Sequence, residues 1–347
     1  MGTPSRFIQS CWGQTSDTVP VWFMRQAGRY QESYRALRRN HSFMDLATNP
    51  ELCVDVTCKP VEELGVDAAI LFSDIMVPLA PMGIDFTIKE AVGPVIANPI
   101  RSMVDVLALH VVKPERDLPY VMDAVHGITE RLGETPLIGF AGGPFTLASY
   151  LIEGGPSKNY LHTKRMMWTA PDVWAGLMRA LTDVVSAHLT AQVAAGASAI
   201  QIFDSWIGSL GPDDYERWVL PYMVEIFKRL APLRVPRIYF GVGTGSLLEL
   251  MVSAGPDVLG IDWRVPMVEA RRRVGPGITL QGNLDPVRVT AGYDAIVHPT
   301  EELLESMRGD PRYIFNLGHG VLPMTSPIVL RELVDLVHRQ GQRGQAS

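Results

Sequence analysis

The sequence predicts one α/β domain built as a parallel (β/α)8 barrel, the TIM-barrel fold, over its 347 residues. Short runs rich in Val, Ile, Leu and Phe recur eight times along the chain. Longer amphipathic segments with helix start and stop signals separate these runs, and such alternation is typical of a parallel barrel. A doubly wound open sheet is the alternative. No Gly-x-Gly-x-x-Gly pattern, which would favour that alternative, follows the first run.

The apolar runs are short enough to be buried strands of a parallel sheet. Gly241-Val-Gly-Thr-Gly245 follows the fifth run and is a weak ligand signal by itself. In chain order, the eight predicted strands are Val21–Phe23, Ala68–Phe72, Pro136–Phe140, Ala199–Phe203, Arg237–Phe240, Val258–Ile261, Ile278–Gln281 and Tyr313–Asn316.

Proline at the start and glycine at the end mark three of the intervening helices, at about 50–65, 171–196 and 326–341. After the second strand, Ile84–Ile88 and Val95–Ala97 flank Gly93-Pro94 and predict a β-hairpin insertion that overhangs the barrel mouth. Short flexible ends are expected at about 1–10 and 341–347. In the second helix, apolar residues recur at helical spacing and predict a core face: Trp174, Leu177, Met178, Leu181, Val185 and Leu189.

Charge and cysteine content restrict the function classes. The net charge of −6 gives no general attraction to nucleic acid or anionic lipid. The longest uncharged stretch, 184–203, contains polar residues and predicts a helix that leads into a strand, not a membrane span. Three cysteines, Cys11, Cys53 and Cys58, form no evident framework and indicate reduced, buried thiols in a cytoplasmic protein without a metal site.

Two arginines stand directly after the first predicted strand, in Met24-Arg-Gln-Ala-Gly-Arg-Tyr30. A spacing of four would place Arg25 and Arg29 on one face if the segment is helical, and Gly28 would let the backbone approach a ligand. Two guanidinium groups suit a small molecule rich in carboxylates or phosphates. The alternative is a surface helix start whose arginines pair with nearby acids.

Polar residues also follow most of the other predicted strands. Barrel enzymes carry their chemistry at the carboxyl ends of the strands, so these residues are expected to converge on one pocket. Singly, each has a structural explanation, such as a helix cap for Asp74 or Ser205. The set comprises Ser73-Asp74, Gly142-Gly143 through Thr146 to Tyr150, Asp204-Ser205-Trp206, Asp262, Asn283, Asp285 and Gly318-His319-Gly320.

The same segments closely resemble the uroporphyrinogen decarboxylase family. They occur in family order from about Trp12 to Leu333, and the arginine segment together with Asn316-Leu-Gly-His-Gly320 is highly specific. One departure is Gln31-Glu32, where the family often has Leu-Pro after the tyrosine, which leaves the local loop path open. The remaining matches are Phe72-Ser-Asp74, Gly139-Phe-Ala-Gly-Gly-Pro144 to Tyr150, Glu153-Gly-Gly155, Phe203-Asp-Ser205 and Gly282-Asn-Leu-Asp-Pro286.

The resemblance implies a cofactor-free carboxy-lyase. It would convert uroporphyrinogen III to coproporphyrinogen III and four CO2 in haem biosynthesis, with no metal, as a homodimer whose pockets face each other. By similarity, Asp74 stabilises positive charge on the protonated pyrrole, and Arg25 and Arg29 bind carboxylates, one of them with a possible part in proton delivery. Tyr150, Ser205 and His319 would then bind acetate or propionate groups.

The resemblance gives further residues a place beside the substrate. Gly142 and Gly143 are expected to make room for the macrocycle, and Phe145 to offer it an apolar wall. Two other functions remain open. A zinc- or cobamide-linked methyltransferase shares the barrel but needs a His/Cys ligand set near the later strands, and no cysteine follows Cys58. A non-catalytic tetrapyrrole-binding barrel is disfavoured because Asp74 and both arginines are present.

Overall fold

A curled parallel sheet forms the centre of the computed structural model, which describes residues 5–89 and 93–343. Its seven strands follow the order β1-β4-β5-β6-β7-β8-β9, and β2 and β3 pair separately as an antiparallel hairpin. The strands are β1 (Ala69–Ile70), β2 (Phe86–Lys89), β3 (Gly93–Ile96), β4 (Leu137–Gly142), β5 (Ala199–Phe203), β6 (Arg237–Phe240), β7 (Val258–Gly260), β8 (Thr279–Gln281) and β9 (Tyr313–Ile314).

Helices occupy most of the chain between the strands. They are α1 (Arg6–Cys11), α2 (Glu32–Arg38), α3 (Phe43–Thr48), α4 (Pro50–Leu64), α5 (Met103–Leu107), α6 (Pro114–Asp117), α7 (Pro119–Leu132), α8 (Pro144–Glu153), α9 (Leu161–Thr169), α10 (Pro171–Ala194), α11 (Pro212–Trp218), α12 (Leu220–Leu230), α13 (Leu248–Ser253), α14 (Met267–Val274), α15 (Pro286–Thr290), α16 (Asp294–Ser306) and α17 (Pro327–Gln340). Three short 3-10 helices cover Val77–Met82, Ile207–Ser209 and Ala231–Leu233. Among the described helices, none combines the length and the apolar character that a bilayer crossing requires.

Seven of the eight predicted strands are strands of the parallel sheet, but the first, Val21–Phe23, is not. That segment is fully buried and makes one parallel bridge, from Val21 to Phe315. Side chains satisfy two of its three N–H groups: Asp67 Oδ2 accepts from Val21 at 2.7 Å, and Gln26 Oε1 accepts from Phe23 at 3.1 Å. The Trp22 N–H donates to the carbonyl of Phe315 at 3.5 Å. Because these donors are already used, no regular ladder forms along the segment.

The backbone of this segment nevertheless contacts both edge strands of the sheet. The Phe315 N–H donates to the carbonyl of Pro20 at 2.9 Å, and the Asp67 N–H donates to the carbonyl of Val21 at 2.8 Å. Phe315 follows β9, and Asp67 precedes β1. The residues after Val21 therefore leave from the same edge of the sheet as those after the other strands.

The predicted helix boundaries at 50–65, 171–196 and 326–341 are confirmed by α4, α10 and α17. At the start of α4, the Asn49 side chain accepts from the Leu52 N–H at 3.2 Å, and Gly65 ends the helix with a φ of 73°. Only a residue that tolerates positive φ can make this kind of helix end without strain, which explains the glycine. The predicted core face of α10, from Trp174 to Leu189, is fully buried.

The described parts of the two chain ends are packed, not free. Phe7 and Ser10 of α1 have no exposed surface, and the Val19 N–H donates to the Gly341 carbonyl at 2.9 Å. The expected flexible ends at about 1–10 and 341–347 otherwise fall on residues outside the described ranges. The cysteines are free thiols and buried, as expected.

Candidate active site

The segment after Val21–Phe23 forms turns and becomes helical only at Glu32, so Arg25 and Arg29 do not share a helix face. Arg25 has a φ of 57°, a left-handed conformation that is uncommon for a side chain of this size. Its side chain passes over Gly320, where a Cβ would stand 2.5 Å from Arg25 Cδ. The glycine that ends Asn316-Leu-Gly-His-Gly320 is therefore required by the path of Arg25.

Neither Arg25 nor Arg29 forms an ion pair or a side-chain hydrogen bond within residues 5–89 and 93–343. Both are accessible to solvent. The surface alternative, in which nearby acids pair with them, is therefore wrong. Burial lowers the pKa of Arg25, and Arg29 adds to this, whereas Tyr150 and Asp74 oppose it. A side chain that is accessible yet crowded by protein atoms lies in a cleft.

Asp74 is held at the mouth by its own backbone turn, four residues beyond β1. Its Oδ1 accepts from the Met76 N–H at 2.8 Å, whereas Oδ2 bonds no group in the described parts of the chain. Burial raises the pKa of Asp74, and the Met76 N–H and Arg25 partly oppose this effect. The carboxylate thus presents one unoccupied oxygen near an unpaired guanidinium.

An aromatic cluster stands beside Asp74. Tyr150, on α8, packs against Trp206 with ring centroids 4.1 Å apart, and Tyr160 packs on the same indole at 5.3 Å. Burial and Asp74 raise the pKa of Tyr150 to about 12, so the phenol keeps its proton at neutral pH. Ser205 precedes Trp206 and is half-buried. Tyr150 is therefore a neutral hydrogen-bonding group in the field of Asp74 and Arg25.

His319 is the last of the predicted site residues. It lies near Arg25, although the two residues are far apart in the sequence. Burial lowers its pKa, and Arg25 lowers it further, so the imidazole is neutral at pH 7. The ring meets Trp263 edge to face, with centroids 6.2 Å apart. A Cβ on Gly318 would overlap the Trp263 backbone. Each glycine that flanks His319 thus allows one close contact, with Trp263 or with Arg25.

Asp204 follows β5 but lies beneath the mouth instead of in it. It is fully buried, and its Oδ1 accepts from the Thr146 N–H at 2.8 Å and from the Thr146 hydroxyl at 2.6 Å. The same hydroxyl accepts from the Trp206 N–H at 3.1 Å. Burial raises the pKa of Asp204 to about 7. Asp204 and Thr146 therefore join the loop after β5 to the helix that carries Tyr150.

Three other strand-end residues also have structural partners. The Asp262 side chain is buried and accepts from the Arg264 N–H at 2.9 Å. Asn283 donates to the carbonyls of Asp262 and Val265, and Asp285 caps α15 by accepting from the Val287 N–H at 2.9 Å. Asp204 has no exposed surface and does not reach the mouth, whereas the convergence of Asp262, Asn283 and Asp285 on the pocket stays a prediction.

The two glycines at the end of β4, Gly142 and Gly143, and the nearby phenylalanine contact protein groups. A Cβ on Gly143 would overlap the Asp204 carboxyl group, and one on Gly142 would overlap Leu147. Phe145 has no exposed surface and packs against Trp174 at a centroid distance of 6.2 Å. These residues make room for protein groups and fill the core. They do not form a wall for a ligand.

Trp263 and Arg264 were not among the residues predicted for the site. Both come directly after Asp262, so the strand-end rule that selected Asp262 would also have found them. Within the described ranges, no group of three or more His, Cys, Asp or Glu side chains is arranged to hold a metal ion. An outer cavity of about 310 Å³ is lined by Glu301, Glu302 and Glu305 and has the wrong charge for an anionic ligand.

Comparisons with known proteins identify the family to which the chain is similar. The family model for "Uroporphyrinogen decarboxylase (URO-D)" matches residues 3–340. Uroporphyrinogen decarboxylase of Thermobifida fusca is 51% identical over 336 residues, which cover 97% of this chain and 93% of the relative. The enzyme of the same name from Streptomyces griseus is 52% identical over 339 residues, with 98% and 93% covered.

Solved structures support the fold alone. A methyltransferase from Methanosarcina mazei superposes with a TM-score of 0.79 at 20% identity and covers 97% of this chain and 99% of its own. A B12-independent methionine synthase from Shewanella gives a TM-score of 0.56 at 10% identity, with 84% and 87% covered. These identities are too low to carry an activity from one protein to another.

Proposed function

The chain belongs to the uroporphyrinogen decarboxylase family, and on that premise we propose that it removes the carboxyl groups of the four acetate side chains of uroporphyrinogen III. The products are coproporphyrinogen III and four CO2. One observation carries this proposal. Two arginines that lack an acid partner in the described residues lie near Asp74, whose Oδ2 has no hydrogen-bond partner there. An anionic substrate with N–H donors at its centre complements both features.

Loss of CO2 from an acetate group leaves an electron pair that needs a sink. In our proposal the sink is the substrate: protonation of the pyrrole ring makes it cationic, and the electrons of the breaking C–C bond flow into that ring. A second proton then adds to the methylene carbon in place of CO2, and the ring releases the proton that it first accepted, which restores the neutral pyrrole. No electron-accepting cofactor enters this scheme, since the ring performs that task.

Asp74 is proposed to stabilise the cationic ring. Its Oδ1 is fixed by the Met76 N–H, so Oδ2 would accept from the pyrrole N–H groups without reorganisation. Burial raises the pKa of the carboxyl group, which means that the ionised form has lost solvation. A cationic pyrrole restores a favourable interaction to that ionised form, so the site favours the protonated ring over the neutral one.

Arg25 and Arg29 are proposed to bind substrate carboxylates. Arg25 experiences the fields of Asp74 and Tyr150, and its lowered pKa reflects incomplete solvation of its charge. A carboxylate of the substrate would compensate that charge through charge-assisted hydrogen bonds. Arginine holds its proton too tightly to serve readily as an acid at neutral pH, so binding is its main proposed role.

Tyr150, Ser205 and His319 are proposed to hydrogen-bond acetate or propionate groups around the mouth. Tyr150 keeps its hydroxyl proton because its pKa is raised to about 12. His319 is neutral at pH 7 because its pKa is lowered, so it offers one N–H donor and one acceptor nitrogen. In our proposal these groups orient the substrate and are also able to relay a proton.

We also propose that the fold is a complete (β/α)8 barrel in a single domain, with residues 20–23 in the eighth strand position. Backbone hydrogen bonds from Phe315 to Pro20 and from Asp67 to Val21 support this closure. The hairpin of β2 and β3 is proposed as an insertion beside the mouth. We further propose a cytoplasmic homodimer. Three free buried cysteines support a reducing compartment, and a sedimentation profile with only monomer at micromolar concentration would refute the dimer.

An anaerobic assay of purified, metal-stripped protein with uroporphyrinogen III tests the function directly. Products are separated by the number of carboxyl groups they retain, beside a control decarboxylase in the same buffer. Stepwise loss of four carboxyl groups is expected. Tight tetrapyrrole binding without CO2 release would favour a non-catalytic barrel, and activity that returns only with zinc or a cobamide would favour the methyltransferase alternative.

A further inference from the structure

We propose that Arg264 binds a carboxylate of the substrate at the mouth, on the side of His319, as a third arginine of the site. This inference rests on the proposed function and adds a residue to its substrate contacts. The described geometry supports it in three ways: the position of the guanidinium, the way in which it is held, and the charges around it.

The first support is position. The Arg264 guanidinium carbon lies 3.9 Å from the centroid of the Trp263 ring, and that ring meets His319 edge to face at 6.2 Å. The backbone of Trp263 packs directly on Gly318, which precedes His319. Arg264 and His319 therefore contact the same aromatic ring, and His319 is proposed to contact the substrate. Stacking on the ring limits the movement of the guanidinium group.

The second support is the way in which the guanidinium is held. Its Nη1 donates to Asp262 Oδ2 at 3.0 Å, but Nε and Nη2 donate to no acceptor in the described residues. The Arg264 side chain is 52% exposed, whereas the Asp262 side chain beneath it is 1% exposed. A guanidinium carries five donors, so one bond to Asp262 leaves most of its fork free. The buried acid orients the arginine and leaves its outer edge available.

The third support is charge. Beyond the effect of burial, Arg25 and Arg264 both lower the pKa of His319, so both cations lie near this imidazole. A net charge of −6 for the whole chain makes such a concentration of arginines a local exception. The substrate carries eight carboxylates, and the reaction removes only the four that belong to acetates. A third guanidinium at the mouth therefore fits a propionate that remains in the product.

An isolated surface ion pair is the alternative explanation for Arg264. In that explanation the guanidinium only compensates the charge of the buried Asp262 carboxylate and has no contact with a ligand. An isolated pair predicts that Arg264→Gln leaves every ligand measurement unchanged. Ligand binding therefore distinguishes the two explanations.

The test combines equilibrium binding of coproporphyrin III, which has four propionates and no acetates, with turnover of uroporphyrinogen III. Arg264→Gln, Arg264→Lys and wild type are compared with Arg331→Gln. Arg331 is exposed on α17 and has no ion pair in the described ranges. We expect Arg264→Gln to weaken coproporphyrin binding and raise KM by about tenfold, with kcat changed by less than about threefold. Arg264→Lys should recover part of the affinity, and Arg331→Gln should match wild type.

Salt provides a second readout that a purely structural role would not change. The Kd of wild type should rise with ionic strength more steeply than that of Arg264→Gln, because the variant has lost one charge contact. Equal Kd and equal salt dependence in the two proteins would overturn the proposal. If wild type binds coproporphyrin but releases no CO2, the proposed function fails while the role of Arg264 is still decided by binding. Absence of coproporphyrin binding by wild type would overturn the proposed propionate contact of Arg264, whereas the proposed function is decided separately by CO2 release.

Discussion

Asp74 and Asp204 both follow a strand of the parallel sheet, and burial raises the pKa of both carboxyl groups. Their surroundings nevertheless differ. Asp74 keeps one oxygen unoccupied near Arg25, whereas Asp204 is enclosed, with Thr146 bonded to its Oδ1 through both the backbone and the hydroxyl group. One carboxylate faces the mouth, and the other supports the wall beneath it.

This comparison shows that a raised pKa and a strand-end position do not by themselves identify a catalytic acid. Perturbed carboxyl groups occur both at active sites and in structural networks. Access and a neighbouring cation separate the two cases here, because Asp204 Oδ2 also lacks a hydrogen-bond partner in the described residues but is completely enclosed. Asp74 has an open oxygen and a cation beside it, whereas Asp204 is completely buried beneath Gly143, which has no Cβ to obstruct it.

The largest effect is expected for Asp74→Asn. This change removes the charge with little change in volume, and we expect kcat to fall by about 100-fold to 1000-fold, the cost of losing one preorganised electrostatic group. The thermal midpoint should not fall, since burial disfavours the ionised form of this carboxyl group. Steady-state turnover and a melting curve check both statements.

Asp204→Asn is the matched control for Asp74→Asn, because it makes the same chemical change beneath the wall. It should retain kcat within about tenfold, since its effect on the substrate passes through Thr146 and Trp206. If folded Asp204→Asn loses as much activity as Asp74→Asn, the distinction between a catalytic Asp74 and a structural Asp204 is wrong.

A smaller effect is expected for Arg29→Ala. Loss of one charge-assisted contact should lower kcat/KM by about tenfold to 100-fold. Arg331→Ala, on the exposed face of α17, serves as the control and should match wild type. An unchanged kcat/KM in Arg29→Ala would remove this arginine from the site.

Thr146→Val tests the structural role of the hydrogen bonds around Asp204. It deletes the hydroxyl group that connects Asp204 to the Trp206 N–H, so the Trp206 N–H loses its partner and Asp204 Oδ1 keeps only the bond from the Thr146 N–H. The free energy of unfolding should fall by about 1–3 kcal/mol. Thr146→Ser, which restores the hydroxyl group, should recover most of this loss in urea unfolding. A loss that Ser does not recover would assign the effect to packing of the methyl group.

The last effect concerns pH. The pKa of Asp204, about 7, lies above its ordinary value of 3.8, so between these values the folded protein holds a proton that the unfolded chain has released. Ionisation therefore favours the unfolded chain, and wild type should lose stability relative to Asp204→Asn as pH rises from about 4 to about 7. Above that range the difference should be constant. Parallel urea curves at pH 5 and pH 8 with one fixed difference would contradict the raised pKa.

The sequence alone was sufficient to predict the positions of seven sheet strands and the boundaries of α4, α10 and α17. It also predicted that the site lies at the strand ends. These features depend on signals within a few residues, such as Pro50 at a helix start and Gly65 at its end. The family was likewise readable, because its motifs are contiguous segments.

Contacts between distant residues decided the rest. The bond from Thr146 to Asp204 joins positions 58 apart, and it determines that this aspartate lies beneath the mouth. The side chain of Asp67 occupies the Val21 N–H from 46 positions away, which prevents the first predicted strand from forming a ladder. Local patterns also do not specify whether an acid pairs with Arg25. Nor do they specify which side chains pack against Gly143 and Gly320, which are Asp204 and Arg25. Local sequence therefore determined which residues stand at the mouth, and only tertiary packing determined which of them face it.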